Sequence, residues 1–120
     1  MSHADDNRKN LDRLLTALGT GTVIRDFAEL YDNDVAMLEN GVDDPARVGL
    51  EKNLAYESYF MANAEWHGVK VGPTLVDGDH TAYEMWMDIS FMGNRMQRTQ
   101  FALQTWKNNK IVREVFYYKG

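Results

Sequence analysis

The stretch GDHTAYEMWMDISFMGN, residues 78–94, alternates two kinds of side chain. The apolar positions, every second residue, are Tyr83, Met85, Met87, Ile89 and Phe91. The positions between them are Glu84, Trp86, Asp88 and Ser90. A period of two predicts a β-strand whose two faces differ in chemistry. The face that turns inward therefore decides both the architecture and the position of any site.

Downstream of Trp66 the period stays near two, which predicts four long antiparallel strands in a meander. The turn signals are Asp77-Gly78, Gly93-Asn94 and Asn108-Asn109. Upstream, Leu11, Leu14, Leu15 and Leu18 have helical spacing, and this helix is expected to end at Gly19.

A second helix is indicated by Val23, Phe27, Leu30 and Tyr31, with Thr22 as its cap. A short strand at 34–39, a loop over 40–49 and a third helix at about 50–62 follow. The order helix, helix, strand, helix and meander predicts an α+β fold in which helices cover one face of a bent sheet.

Composition narrows the class of protein. A chain of 120 residues suits one domain, and we expect a flexible segment at 1–7 and a single domain at 8–120. A net charge of -5 argues against a nucleic-acid partner. The absence of cysteine excludes disulfides and thiolate chemistry and fits a cytoplasmic location. We predict no membrane segment, and the histidine spacing predicts no metal site.

The pairing register predicts which residues share a face with the acids. Matching Met85 and Met87 with Phe101 and Leu103 demands an odd-length loop near Gly93, and that register sets Asp88 opposite Arg98. The polar and aromatic face would then hold Glu84, Trp86, Asp88, Arg98, Gln100, Gln104, Trp106, Glu114, Phe116 and Tyr118.

Four segments together resemble the SnoaL-like branch of the nuclear transport factor 2 and ketosteroid isomerase superfamily. They are FAELYDNDV at 27–35, the 41–49 loop before a helix, VDGD at 76–79, and WKNNKIVREVFYY at 106–118. The resemblance covers residue 8 to the end. It implies a cone-shaped, curved antiparallel sheet wrapped around N-terminal helices, with a ligand pocket inside.

The resemblance also implies how the two faces are used. The polar and aromatic face would turn into the pocket. The outer face would form a homodimer through Tyr83, Met85, Met87, Phe101 and Leu103.

The isomerase chemistry of that superfamily transfers only in part. Its general base falls at Glu39, but its oxyanion-hole acid falls at Ala102 and its tyrosine near Leu15, and neither can donate a proton. The sequence therefore argues against steroid-type isomerisation. Asp88, Arg98 and Glu84 or Glu114 resemble the residue types of epoxide hydrolases, whereas His67 with Asp88 resembles those of dehydratases.

Each candidate has a plainer reading. Glu84 and Asp88 also suit the wet face of an antiparallel sheet, Arg98 also suits a cross-strand ion pair, and His67 also suits a structural hydrogen-bonding role. The candidate catalytic residues are Asp88, Glu84, His67, Glu39 and Glu114. The candidate ligand-binding residues are Trp86, Arg98, Gln100, Tyr56, Phe60 and Phe116.

The sequence thus predicts a protein that binds a small, partly apolar molecule, with cofactor-free proton transfer as the best reaction class: isomerisation, dehydration, cyclisation or hydrolysis. The alternative is a non-catalytic, dimeric module for ligand sensing or protein interaction. An enclosed cavity of a few hundred cubic ångströms or more, with convergent polar groups, would favour the first reading, and a small, closed or filled cone the second.

Overall fold

The computed structural model describes residues 3–20, 23–40 and 42–118. In these ranges the elements are α1 (His3–Thr20), α2 (Val23–Leu30), β1 (Tyr31–Glu39), β2 (Val42–Val48), α3 (Leu50–Asn63), β3 (Ala64–Asp77), β4 (His80–Phe91), β5 (Asn94–Lys107) and β6 (Lys110–Tyr118). The predicted α+β order, with its four-strand meander, is confirmed. No helix in the described ranges is long and apolar enough to cross a membrane.

The six strands form one curved sheet in the order β2-β1-β6-β5-β4-β3, open at both edges. β1 runs parallel to β6, while the other neighbours are antiparallel. Because β1 lies beside β6, the first strand places Met37 next to Glu114 of the last one.

Helices α1 and α2 fill the concave side of the sheet. Leu11 and Leu14 of α1 are buried in one apolar cluster with Phe27 and Leu30 of α2. The same cluster contains the stripe of β4, which consists of Tyr83, Met85, Met87 and Ile89. That stripe therefore faces the helices.

This orientation corrects the predicted faces of β4. The β4–β5 turn has only Met92 and Gly93 between the paired Phe91 and Asn94, and both turn residues have positive φ, at 51° and 87°. A two-residue turn of this kind matches the twist of the strands it joins. The predicted odd-length loop is wrong, and Asp88 pairs with Gln97 instead of Arg98.

Two further elements differ from expectation. The predicted loop at 40–49 contains strand β2, whose turn-rich composition is tolerated because it forms an edge of the sheet. Helix α1 begins at His3, before the domain boundary expected at residue 8, and the Asn7 amide donates to the Gly78 carbonyl at 2.9 Å. The predicted cap Thr22 lies outside the described residues.

Candidate functional site

A cavity of about 130 Å³ lies between the helices and the concave face of the sheet. Its apolar wall consists of Leu14, Phe27, Met37, Phe60, Met61, Trp66, Met85, Met87 and Phe116. Its polar lining consists of Tyr31, Glu39, Tyr56, Glu57, Tyr83, Arg98, Gln100 and Glu114. Exposure rises from 1% at Glu114 to 45% at Tyr56, so Glu114 is at the floor and Tyr56 at the mouth.

Glu114 is a carboxyl group at the buried floor of this cavity. The hydroxyl of Tyr31 donates to one of its oxygens at 2.6 Å, and the side-chain amide of Gln104 donates to the other at 2.8 Å. Burial raises the pKa of Glu114 to about 7, although both hydrogen bonds oppose the rise. Glu114 can therefore exchange a proton near neutral pH.

The orientation of the Gln104 amide follows from a chain of buried hydrogen bonds. The indole N–H of Trp106, which can only donate, bonds to the Thr81 hydroxyl at 2.8 Å. Thr81 must then direct its own hydrogen to the Gln104 carbonyl oxygen, at 2.7 Å. The side-chain nitrogen of Gln104 therefore faces Glu114. Trp106 and Thr81 orient the Gln104 amide, and Gln104 in turn holds the carboxyl group of Glu114.

Tyr83 supplies a hydrogen-bond donor to the same cavity. Its side chain is 3% exposed and lines the cavity. Burial, together with the charges of Glu114 and Glu57, raises the pKa of Tyr83 well above its ordinary value, so the phenol stays protonated. A ligand oxygen is the natural acceptor for this hydroxyl.

Glu57 of α3 is a second carboxyl group in the wall. Burial raises its pKa to about 7, Glu39 adds to the rise, and Arg47 opposes it. Glu57 also raises the pKa of Glu114 through its charge. The two groups therefore discourage each other from ionising together.

Asn53 organises the mouth around Arg47. The fully buried Asn53 amide donates to the carbonyls of Arg47 and Gly49, at 3.0 and 2.9 Å, and its oxygen accepts from the Arg47 guanidinium at 3.2 Å. Arg47 in turn pairs with Glu39 at 3.1 Å and lies 4.0 Å from the centre of the Tyr56 ring. The Glu39 carboxylate at the mouth is thus neutralised within the protein.

Seven predicted site residues line the cavity. They are Glu39, Tyr56, Phe60, Arg98, Gln100, Glu114 and Phe116. The β5–β6 pairing of Gln104 with Glu114 puts the β5 and β6 members on one face, as predicted. Their chemical roles stay predictions.

The other four do not line the cavity: three are on β4, whose face is inverted, and His67 is on β3. They are Glu84, Trp86, Asp88 and His67. The Asp88 carboxylate accepts two hydrogen bonds from Arg95, at 3.1 and 2.9 Å, which hold its pKa below the usual range. His67 is exposed and shares a 2.8 Å hydrogen bond with Ser90, while Trp86 lies 5.6 Å from the Lys70 ammonium.

Sequence reasoning missed Tyr31, Glu57, Tyr83 and the two methionines of β4 as cavity residues. Glu57 carried a usable signal, because it stands with Leu50, Leu54 and Met61 on the inward stripe of α3, where a carboxylate is unexpected. Tyr31 carried no such signal in the sequence, because Glu114, its hydrogen-bond partner, is distant in sequence.

Solved structures with this fold come from several bacteria, although no family model and no curated protein sequence matches the chain. A Mesorhizobium loti protein named as a SnoaL-like polyketide cyclase is 26% identical, with a TM-score of 0.81, covering 98% of this chain and 100% of its own. An LEH-like epoxide hydrolase from M. tuberculosis is 13% identical, with a TM-score of 0.79, and the match covers 96% and 84% of the two chains.

A Kribbella flavida protein named as a ketosteroid isomerase is 16% identical, with a TM-score of 0.78, covering 100% of this chain and 82% of its own. These matches show the fold, an α+β arrangement of N-terminal helices and a curved sheet. The fold of the chain is therefore similar to that of SnoaL-like and nuclear transport factor 2-like proteins, and the resemblance seen in the sequence is confirmed.

Proposed function

We propose that the protein binds a small, mostly apolar molecule in the cone and moves a proton on it without a cofactor. The observation that carries this proposal is Glu114, a carboxyl group 1% exposed at the floor of an apolar cavity, with a pKa raised to about 7 by burial. A group that titrates near the working pH is an efficient general acid or base.

Glu114 and Tyr83 supply complementary chemistry. A carboxylate has about four acceptor positions, and the bonds from Tyr31 and Gln104 leave lone pairs of Glu114 available. In the proposed step one of these takes the proton from a carbon next to a ligand carbonyl. The Tyr83 hydroxyl donates to the carbonyl oxygen as negative charge develops there.

The test is deuterium exchange into cyclohexanone in D2O, followed by NMR. We expect the wild type to accelerate exchange next to the carbonyl, and Glu114→Gln to lose about 100-fold of that rate because it cannot accept the proton. Tyr83→Phe should also slow exchange. The matched control is Glu84→Gln, which removes an exposed carboxylate of β4 that does not line the cavity. Equal rates in wild type and Glu114→Gln would refute the proposal.

The ionisable lining of the cavity supports ligand binding over a module built only for protein interaction, whereas a non-catalytic ligand sensor would have the same lining, and the cavity is smaller than the few hundred cubic ångströms expected of the first reading. Its volume is below that of usual drug-sized pockets, about 300 Å³ or more, so the ligand must be small. The cytoplasmic location stays a prediction.

The interface expected for the predicted homodimer has to be changed, because some of its residues lie inside the cone. Tyr83, Met85 and Met87 lie inside the cone, which removes them from the expected interface, whereas Phe101 remains on the outer face, 39% exposed. If the outer face pairs two copies, Phe101→Asp should lower the mass measured by sedimentation while the chain stays folded, because the new carboxylate would be buried without a partner. A monomeric wild type would contradict the dimer.

A further inference from the structure

Arg98 is a cation of the cavity wall that forms no ion pair with a carboxylate of the described residues. The ion pairs recorded between described residues are Arg13–Glu29, Arg47–Glu39 and Arg95–Asp88. The described contact of the Arg98 guanidinium is instead the ring of Tyr118, whose centre is 3.9 Å away. An arginine lining a cavity in this way has N–H donors available to a ligand.

The geometry prepares this guanidinium for a planar anion. Stacking on Tyr118 fixes the plane of the group, while its edge remains available for paired hydrogen bonds to a carboxylate. Arg98 lies directly opposite Met87 of β4, so the charge adjoins the apolar wall. Its partial exposure places it nearer the mouth than Glu114.

The size of the cavity limits the rest of the ligand. A dry protein cavity of about 150 Å³ accepts benzene. The cavity here, about 130 Å³, therefore suits one ring and is too small for the fused rings of a steroid.

We infer that the ligand is a small monocarboxylate with a single ring, whose carboxylate pairs with Arg98 and whose ring lies against Met85 and Met87. This inference rests on the proposed function, since the ring occupies the cavity in which Glu114 would act. To the proposed function the inference adds two properties of the ligand. They are its negative charge and its orientation, with the carboxylate at Arg98 and the ring inside the cavity.

The titratable groups of the cavity agree with an anionic ligand below neutral pH. Glu39 on β1 is neutralised by Arg47 of β2, which leaves Glu57 of α3, Glu114 of β6 and Arg98 of β5. Burial raises the pKa values of both Glu57 and Glu114 to about 7, so at lower pH the charge of Arg98 dominates. Above neutral pH the two carboxylates would repel an anion.

The experiment compares benzoate with benzamide, which share a ring and differ in charge, by titration of the methionine methyl NMR signals at pH 6. We expect benzoate to bind about tenfold more tightly than benzamide, since a charge-assisted bond is the difference. Arg98→Gln should abolish this preference. The control Arg95→Gln removes a guanidinium from the same strand on the outer face and should retain it.

The outcomes separate this inference from the proposed function. Equal binding of the two probes, or a preference that survives Arg98→Gln, overturns the inference even if cyclohexanone exchange is catalysed. A preference for benzoate that depends on Arg98, without any catalysed exchange, supports the inference as a binding site and refutes the proton-transfer step. Binding of neither probe overturns the inference.

Discussion

Replacing Ile89 by Asp is expected to remove a large part of the free energy of unfolding of the protein. Ile89 is 0% exposed, belongs to the central apolar cluster and does not line the cavity. The substitution removes a packed aliphatic side chain and buries a carboxylate without a partner, which together cost more than about 4 kcal/mol. A small domain has only about 5–15 kcal/mol of stability, so the loss should be evident in chemical denaturation.

The control places the same new charge on the opposite face of the sheet. Thr99 of β5 is exposed and pairs with Trp86, so Thr99→Asp should change the free energy of unfolding by less than about 0.5 kcal/mol. If Ile89→Asp instead stayed fully folded and only dissociated a dimer, the stripe of β4 would be an outer surface. That result would contradict the inward orientation seen in the structure.

Stability is expected to fall as the pH rises from 5 to 8. Burial raises the pKa values of Glu57 and Glu114 from 4.5 to about 7, so between these pH values the folded state binds more protons than the unfolded chain. The stabilisation from each group is complete below pH 4.5 and is lost as the pH rises through 7. Each should contribute about 2 kcal/mol to the difference, so the pair contributes about 4 kcal/mol.

Glutamine variants assign this dependence to individual residues. Glu114→Gln keeps the size of the side chain but cannot ionise, so it should remove about half of the pH dependence and stabilise the protein at pH 8. The exposed control Glu84→Gln should retain the full dependence. Asp88 acts outside this window, because its lowered pKa confines its effect to more acidic pH. A pH-independent free energy of unfolding in the wild type would show that neither carboxyl is buried as described.

Local patterns were sufficient for the elements of the fold. Helical spacing of leucines located α1, and alternation located β4 and β5, because both signals depend on residues close together in sequence. The exception is β2, in which pairing with β1 outweighs a loop-like composition.

Cavity residues were predicted correctly only on neighbouring strands whose inward faces were both predicted correctly. Arg98, Gln100, Glu114 and Phe116 line the cavity as expected, because β5 and β6 kept the predicted faces. The predicted inward positions of Glu84 and Asp88 were wrong, because the alternating pattern of β4 is compatible with either orientation of the strand. The turn of Met92 and Gly93 decided between them.

By itself the sequence determined the order of the helices and strands other than β2, since that order is encoded in periodicity and in the spacing of turns, while the resemblance of four segments indicated the superfamily. The tertiary structure alone decided which face of β4 is concave and brought Tyr31, Tyr83 and Glu57 into the cavity of Glu114. The physical reason is that a shift of one residue in pairing moves every side chain of a strand to the other face, and no local propensity opposes that shift. Only the packing of the β4 stripe against the helices, with the geometry of a two-residue turn, selects one of the two arrangements.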